Sequence, residues 1–125
     1  MKKSGVKAIV LIGHGSRQRG FQSAMRRLAG ALRARRGPAV ACAYLEITRP
    51  SIPEAVDALV AKGAAEIRVL PYFVLSGWHV RTHIPRIISA LKKKHRGRCR
   101  ILLSPYLGYH EKIADVARMR LRKAR

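Results

Sequence analysis

Acidic residues are scarce in this chain, with six Asp and Glu against 27 Lys and Arg among 125 residues. The formal net charge is therefore +21, and the sequence pI is about 11.6. A field of this sign attracts polyanions, so nucleic acid or a small substrate with many carboxylates is the expected partner, although most of the charge forms a solvated coat. Aromatic residues make up only 6% of the chain, and no RNA-binding aromatic motif, zinc finger or helix-turn-helix pattern is present. The sequence therefore indicates no specific mode of nucleic-acid recognition, although nonspecific binding stays possible.

Cysteine is also rare, since Cys42 and Cys99 are the only two in the sequence. They form no Cys-x-x-Cys pair and no even framework, which excludes a disulfide scaffold, a structural zinc site and an iron-sulfur cluster. Both lie in apolar, strand-like surroundings. We predict that they are buried free thiols.

Long apolar runs are missing as well, because none approaches the roughly 18 residues of a membrane span. The start, Met1-Lys2-Lys3, lacks the longer apolar segment of a secretory signal. We therefore predict a cytoplasmic protein without membrane contact. With 48% hydrophobic residues over 125 positions, we expect residues 1–125 to fold as one domain, which is small for an enzyme that encloses a large ligand and so favours a partner subunit.

Nucleotide-binding glycine motifs are absent too. The sequence Gly13-His14-Gly15-Ser16 has no following Lys-Ser or Lys-Thr to make a P-loop, and it lacks the third glycine of a dinucleotide fingerprint. No nucleotide cofactor is therefore expected. On its own the Gly-His-Gly turn is equally typical of a site and of a simple turn that makes room for the next helix.

Four short apolar runs alternate with four amphipathic stretches. This alternation predicts a four-stranded parallel sheet with helices on both faces.

Local signals refine the boundaries of single elements. Pro71 is expected to disturb the far half of the third strand. Ser51 and Glu54 predict a capping box at the start of the second helix. The predicted strands are 7–12, 39–45, 66–74 and 99–103; the predicted helices start near Phe21, Ile52, Ile84 and Ile113, with the first ending at Gly37-Pro38 and the second at Lys62-Gly63.

The ends of three predicted strands carry His14, Glu46 and His79. Because the carboxyl ends of parallel strands share one edge of the sheet, we expect these side chains to converge. Two imidazoles and a carboxylate fit either an incomplete metal shell or an acid-base set. A Ser-His-Asp hydrolase fits less well, because no Gly-x-Ser-x-Gly is present and both aspartates lie in predicted helices.

Three further histidines are predicted to have structural roles. His83 lies four residues after His79, on the same helical face, but Val80 replaces the glutamate that a zinc-protease motif requires. A capping or packing role for His83 is therefore expected. His95 and His110 are predicted to be surface or capping residues.

Several ordered motifs together carry a family resemblance. They are Leu11-Ile12-Gly13-His14-Gly15-Ser16-Arg17, Tyr44-Leu45-Glu46 with Pro50-Ser51-Ile52, Leu70-Pro71-Tyr72-Phe73, Gly77-Trp78-His79-Val80 with Ile84-Pro85, and Tyr106-Leu107-Gly108. From the first strand to the last helix, the chain resembles the CbiX/SirB family of sirohydrochlorin chelatases, in particular its short archaeal CbiX form. That resemblance implies a flavodoxin-like, chelatase-like half-domain that pairs as a homodimer.

The same resemblance implies a function, which is insertion of a divalent ion into sirohydrochlorin without ATP, for cobalamin or related tetrapyrrole biosynthesis. Co²⁺ is the expected ion, with Ni²⁺ and Fe²⁺ as alternatives. The resemblance makes His14 and His79 the residues that hold the ion and accept pyrrole protons, and it places Glu46 at the family's acidic position. The residues expected to contact the substrate lie in rim loops; they are Gly13, Ser16, Arg17, Arg49, Ser76, Gly77 and Arg81. The three arginines among them are expected to pair with the carboxylate arms of the substrate.

One position departs from the family pattern, because His83 stands where the family commonly has Asp before Ile-Pro. His83 then either replaces imperfectly a residue that caps the third helix or orients the cleft, or it faces the metal and alters metal preference. Two other functions stay open beside the chelatase. One is a basic nucleic-acid-binding module on a flavodoxin-like scaffold, and the other is a metal carrier without insertase activity.

Overall fold

The structure is a computed structural model, and it describes residues 5–125. Four strands form one parallel sheet in the order β2-β1-β3-β4. The bounds are β1 Val6–Gly13, α1 Phe21–Leu32, β2 Ala39–Tyr44, α2 Ile52–Ala61, β3 Ala64–Pro71, α3 Ile84–Lys94, β4 Arg100–Leu103 and α4 Glu111–Arg122, with a π-helical turn at His79–His83. The predicted α/β class, parallel sheet and βα alternation are confirmed.

The core lies on both faces of the sheet. Strand β1 is central, and its residues Val10, Leu11 and Ile12 are completely buried. The side chains of Val10 and Ile12 belong to the larger cluster, which includes the buried residues of α2 and α3. The side chain of Leu11 belongs to a smaller cluster with Met25 and Ala29 of α1. This alternation along β1 is what a strand sandwiched between two helical layers requires.

The capping signals for α2 are confirmed. The Ser51 side chain accepts from the backbone N–H of Glu54, and the Glu54 carboxylate accepts from the backbone N–H of Ser51. The bond from the Ser51 N–H, together with a hydrogen bond from the Arg49 guanidinium, holds the pKa of the Glu54 carboxyl below its ordinary value. The helix ends at Ala61, and Gly63 follows it at φ 99°, a backbone conformation that glycine adopts readily.

Two predicted boundaries are wrong. Helix α1 ends at Leu32 rather than at Gly37-Pro38, because Leu32 is the last apolar residue of its stripe and Arg33 already has extended backbone angles. Strand β3 ends at Pro71 rather than at residue 74, because proline has no N–H to donate to a ladder. The predicted loss of pairing at Pro71 is thus confirmed, and the residues after it form a loop.

The surface alternative for His95 is wrong, although the residue does occupy the C-cap position of α3. Its side chain is buried, and its Nε2 lies 2.7 Å from Asp57 Oδ1, joining the C-terminus of α3 to α2. The surface alternative failed because the residues around His95 are basic and only this one position faces inward. His110 is confirmed as a capping residue, since its Nδ1 accepts from the backbone N–H of Lys112 at the start of α4.

The two cysteines are free, with Cys99 buried and Cys42 half-buried. Burial raises the pKa of both thiols. Within residues 5–125, no helix combines the length and apolar character needed to cross a membrane.

Candidate active site

The turn after β1 needs both of its glycines. A Cβ on Gly13 would lie 2.8 Å from Met25 Cε, so a side chain there would push against α1. Gly15 has φ 110°, and a Cβ on it would lie 1.8 Å from the Glu46 carbonyl oxygen. The turn therefore makes room for a helix and also brings the loop after β2 directly against His14.

Backbone hydrogen bonds fasten that second loop to the first. The N–H groups of Leu45 and Glu46 donate to the His14 carbonyl oxygen at 3.2 and 3.1 Å. The Ser16 N–H donates to Thr48 Oγ1 at 3.0 Å, and the Thr48 hydroxyl donates to the Ser16 carbonyl oxygen at 3.1 Å. His14 and Glu46 are therefore held in register by the backbone.

The residue after Glu46 has a strained backbone. Ile47 has φ 69°, and the Thr48 N–H donates across it to the Glu46 carbonyl oxygen at 2.6 Å. A γ-turn with positive φ is rare, and it is unfavourable for a β-branched residue. The turn reverses the chain immediately after Glu46, and the Pro50 carbonyl oxygen then accepts from the backbone N–H of Tyr44 at 2.9 Å.

His79 enters from the loop after β3. The π-helical turn His79–His83 follows this loop, and the Ile84 N–H donates to the His79 carbonyl oxygen across five residues. Turns of this wider type occur frequently at functional sites. His79 and His83 therefore lie on one face of the turn, at the edge of the sheet that also carries His14.

The structure brings His14, Glu46 and His79 together. The His14 and His79 ring centroids are 5.2 Å apart at an interplanar angle of 75°, and His14 Nε2 lies 3.4 Å from Glu46 Oε2. In the described part of the chain, no group of three His, Cys, Asp or Glu side chains is arranged to hold a metal ion as it stands.

His83 belongs to the same cluster, which the sequence did not establish. Its Nδ1 lies 2.9 Å from His79 Nδ1. Its side chain caps no helix, although it does pack, since its ring stacks on Trp78 with centroids 4.8 Å apart. The predicted capping alternative is therefore wrong, and the packing alternative is right.

An exposed apolar loop adjoins the histidines. Trp78 is 59% exposed and Leu75 is 80% exposed. Part of this segment falls within the predicted strand 66–74, and no role is predicted for Trp78. The sequence does carry a signal, because the apolar run continues beyond Pro71, where regular strand pairing is predicted to be lost.

The rim residues predicted to contact a ligand fall into two groups. Ser16, Arg17 and Arg49 line one cavity of about 620 Å³, together with Arg19 and Arg26; Arg49 also pairs with Glu54. Ser76 and Gly77 lie in the exposed loop before the π-helical turn. Arg81 lies within that turn and not in a loop as predicted, because its N–H donates to the Gly77 carbonyl oxygen at 2.9 Å. Gly13 is buried beside Met25.

Tyr44, one residue of the Tyr-Leu-Glu motif, does not belong to the acid-base set. It is buried beneath the rim, and this burial raises its pKa to about 12. Its hydroxyl therefore keeps its proton at neutral pH and cannot serve as a base.

Comparison with known proteins gives a consistent result. The family model described as CbiX matches residues 8–124. The chain is 30% identical over 124 residues to the sirohydrochlorin cobaltochelatase of Priestia megaterium, covering 95% of this chain and 39% of that protein. It is 31% identical over 114 residues to the chloroplastic sirohydrochlorin ferrochelatase of Arabidopsis thaliana, covering 90% and 50%. The chain thus spans half or less of these two relatives.

A solved structure supports the same assignment. The sirohydrochlorin chelatase SirB from Bacillus subtilis subspecies spizizenii, in complex with cobalt, superposes with a TM-score of 0.82 at 26% sequence identity. The match covers 94% of this chain and 50% of the SirB chain.

Proposed function

Because the chain belongs to the CbiX family, we propose that it inserts a divalent metal ion, Co²⁺ in the first place and Ni²⁺ or Fe²⁺ as alternatives, into sirohydrochlorin without ATP. The relatives named as cobaltochelatase and ferrochelatase support this substrate class. The observation that carries the proposal is the close approach of His14 and His79, whose ring centroids lie 5.2 Å apart.

Two imidazoles suit the chemistry that insertion requires. As the ion enters the ring, two pyrrole N–H bonds break and metal-nitrogen bonds form, so two protons must leave. Neutral imidazole binds a divalent ion through a nitrogen lone pair, and it accepts a proton near neutral pH. We assign both tasks to His14 and His79, which would first bind the ion and then take up pyrrole protons for release to water.

Glu46 would act beside His14. Its carboxylate is 3.4 Å from His14 Nε2, and its side chain is 54% exposed. The carboxylate would accept a hydrogen bond from the imidazolium that proton uptake produces. Few and partly exposed ligands also keep the ion transferable, whereas a closed four-ligand shell would retain it.

The surroundings fit a flat polycarboxylate. The exposed Trp78 and Leu75 offer apolar area beside the histidines for one face of a macrocycle. The arginine cavity offers guanidinium groups from Arg17, Arg19 and Arg26, which form charge-assisted hydrogen bonds with carboxylates. We assign Arg81, in the π-helical turn, a similar role on the histidine side.

We further propose that two copies of the chain form the working unit in the cytoplasm. Helix α4 leaves apolar side chains exposed, with Val116 and Met119 at 47% and Leu121 at 73%. A homodimer would cover this exposed apolar face.

The decisive experiment is an insertion assay with Co²⁺, Ni²⁺ and Fe²⁺ in parallel, followed by the shift of the visible bands of sirohydrochlorin. Wild-type protein should accelerate insertion, and His14→Ala and His79→Ala should each abolish the acceleration. His110→Ala is the matched control, because His110 lies outside the cluster. Insertion that is unaffected by the first two substitutions rejects the mechanism, and metal binding without turnover indicates a carrier.

A further inference from the structure

His79 has a second polar neighbour besides those of the proposed mechanism. Its Nδ1 lies 2.9 Å from the Nδ1 of His83, and the two ring centroids are 5.1 Å apart. At this separation the nitrogens share one proton, because one must donate and the other accept. The ring orientation of His79 is therefore tied to His83.

We propose that His83 is a positioning residue that accepts the Nδ1–H of His79, so that the Nε2 of His79 presents its lone pair to the metal ion. This inference rests on the proposed chelatase function. It gives His83 no contact with the ion or with the pyrrole nitrogens.

The choice of donor decides whether His79 can act. A neutral imidazole has one N–H and one lone pair. When His79 donates through Nδ1, its Nε2 is free to bind a metal ion or to take a proton. When His83 donates instead, the Nε2 of His79 carries the hydrogen and can do neither. Histidine ligands in metal sites ordinarily donate their second N–H to an acceptor in this way.

His14 has no comparable neighbour to select its tautomer. Its Nδ1 lies 3.4 Å from the Gly15 carbonyl oxygen, and its Nε2 lies 3.4 Å from Glu46 Oε2. Both neighbours are acceptors, so these contacts do not select the nitrogen that carries the hydrogen. The inference about the tautomer is therefore made for His79 alone.

Trp78 holds His83 in place for this task. The indole stacks on the His83 ring with centroids 4.8 Å apart and an interplanar angle of 25°. It also contacts the His79 ring edge-on, with centroids 5.3 Å apart. Stacking restrains the plane of His83, which keeps its Nδ1 aimed at His79. The wider turn supplies the spacing for all three rings.

The tautomers can be measured directly by long-range ¹H–¹⁵N correlation NMR of the full chain labelled at histidine, near pH 8, about 1.5 units above the ordinary histidine pKa. We expect His79 to carry its proton on Nδ1 in the wild type and in His83→Asp, where a carboxylate can only accept. His83→Ala should lose this preference. Thr82→Ala, in the same turn, is the matched control and should leave the tautomer unchanged.

Metal binding gives a second readout that needs no turnover. Titration with Co²⁺, followed by its visible absorption, should show about tenfold weaker binding in His83→Ala, with His83→Asp close to wild type. A wild-type His79 protonated on Nε2, or unchanged Co²⁺ affinity in a folded His83→Ala, overturns the inference. If either occurs while His14→Ala and His79→Ala still abolish insertion, the chelatase proposal stands and only the role of His83 falls.

Discussion

Gly15 lies directly against the backbone of Glu46, so close that a Cβ on the glycine would lie 1.8 Å from the Glu46 carbonyl oxygen. This contact joins the ends of β1 and β2, which carry a histidine and a carboxylate of the candidate site. The short distance between His14 and Glu46 thus depends on glycine, which has no side chain, at position 15.

Gly15→Ala should therefore be strongly destabilising. The methyl group would force the Glu46 loop to move, and alanine would also be strained at φ 110°. We expect a loss of about 3 kcal/mol or more in the free energy of unfolding, measured by urea titration. Gly20→Ala is the matched control, because Gly20 has φ 88° with nothing within 4 Å, so it should lose only about 1 to 2 kcal/mol. Equal losses in the two variants would show that the loop yields without cost.

The fold could be predicted because local patterns and topology agree. Four apolar runs of strand length alternate with helical stripes, and βα alternation leaves few arrangements other than a parallel sheet. The convergence of His14 and His79 followed from the same argument, since parallel strands end at one edge. Residues 65 positions apart were thus placed together by topology alone.

The details that failed depend on tertiary contacts. Nothing in the basic sequence around His95 shows that this one side chain turns inward to meet Asp57, because the partner lies on another helix. The role of His83 was equally hidden, since a spacing of four residues fits a helix face with or without a hydrogen bond. The exposure of Trp78 and Leu75 was signalled only by an apolar run that continues past Pro71.

Asp57 is expected to make the free energy of unfolding decrease as the pH falls into the acid range. Its hydrogen bond from Lys94 is the main cause that holds its pKa below the ordinary value of 3.8, and His95 adds to the effect. A lowered carboxyl pKa stabilises the fold above the ordinary value, and this stabilisation is lost as the pH falls through the folded-state pKa. Because the side chain is 35% exposed, we expect Asp57→Asn to lose only about 1 kcal/mol at neutral pH.

Urea titrations between about pH 7 and pH 2 test this prediction, because the loss in Asp57→Asn should shrink towards zero in acid, where the wild-type carboxylate is protonated. Asp115→Asn is the control, since Asp115 pairs with Arg118 on the exposed face of α4 and should change stability by less than about 0.5 kcal/mol. A loss in Asp57→Asn that persists unchanged in acid would contradict the electrostatic explanation.

The exposed face of α4 predicts self-association. Val116 and Met119 are three residues apart, each 47% exposed, so a double Val116→Glu and Met119→Glu variant would place two charges in the proposed interface. Sedimentation velocity should show a dimer for the wild type and a monomer for this variant. Arg120→Glu with Arg122→Glu, on the same helix, is the control for added acidity. A wild-type monomer at all concentrations would contradict the dimer proposal.

The arginine cavity predicts a specific effect on substrate affinity. Arg19 and Arg26 line the cavity beside Ser16, and neither forms an ion pair with a carboxylate within residues 5–125. Both guanidinium groups are therefore available to an anionic substrate. A double Arg19→Gln and Arg26→Gln variant should raise KM for sirohydrochlorin about tenfold with little change in kcat, because two charge-assisted hydrogen bonds at a solvated surface contribute roughly 0.5 to 1 kcal/mol each.

The control must separate this cavity from the general basic field. Arg27→Gln with Arg35→Gln also removes two charges, but Arg27 lines a different surface of α1 and Arg35 lies in the turn after it. Both double variants lose the same amount of long-range attraction for the anionic substrate, and salt screens that attraction. Only Arg19→Gln with Arg26→Gln also loses direct contacts with the substrate. We therefore expect the KM difference between the two variants to persist at about 0.5 M salt. Equal KM values for the two variants at every salt concentration would show that the arginines attract the substrate only through the general positive field. The cavity would then have no role in substrate binding.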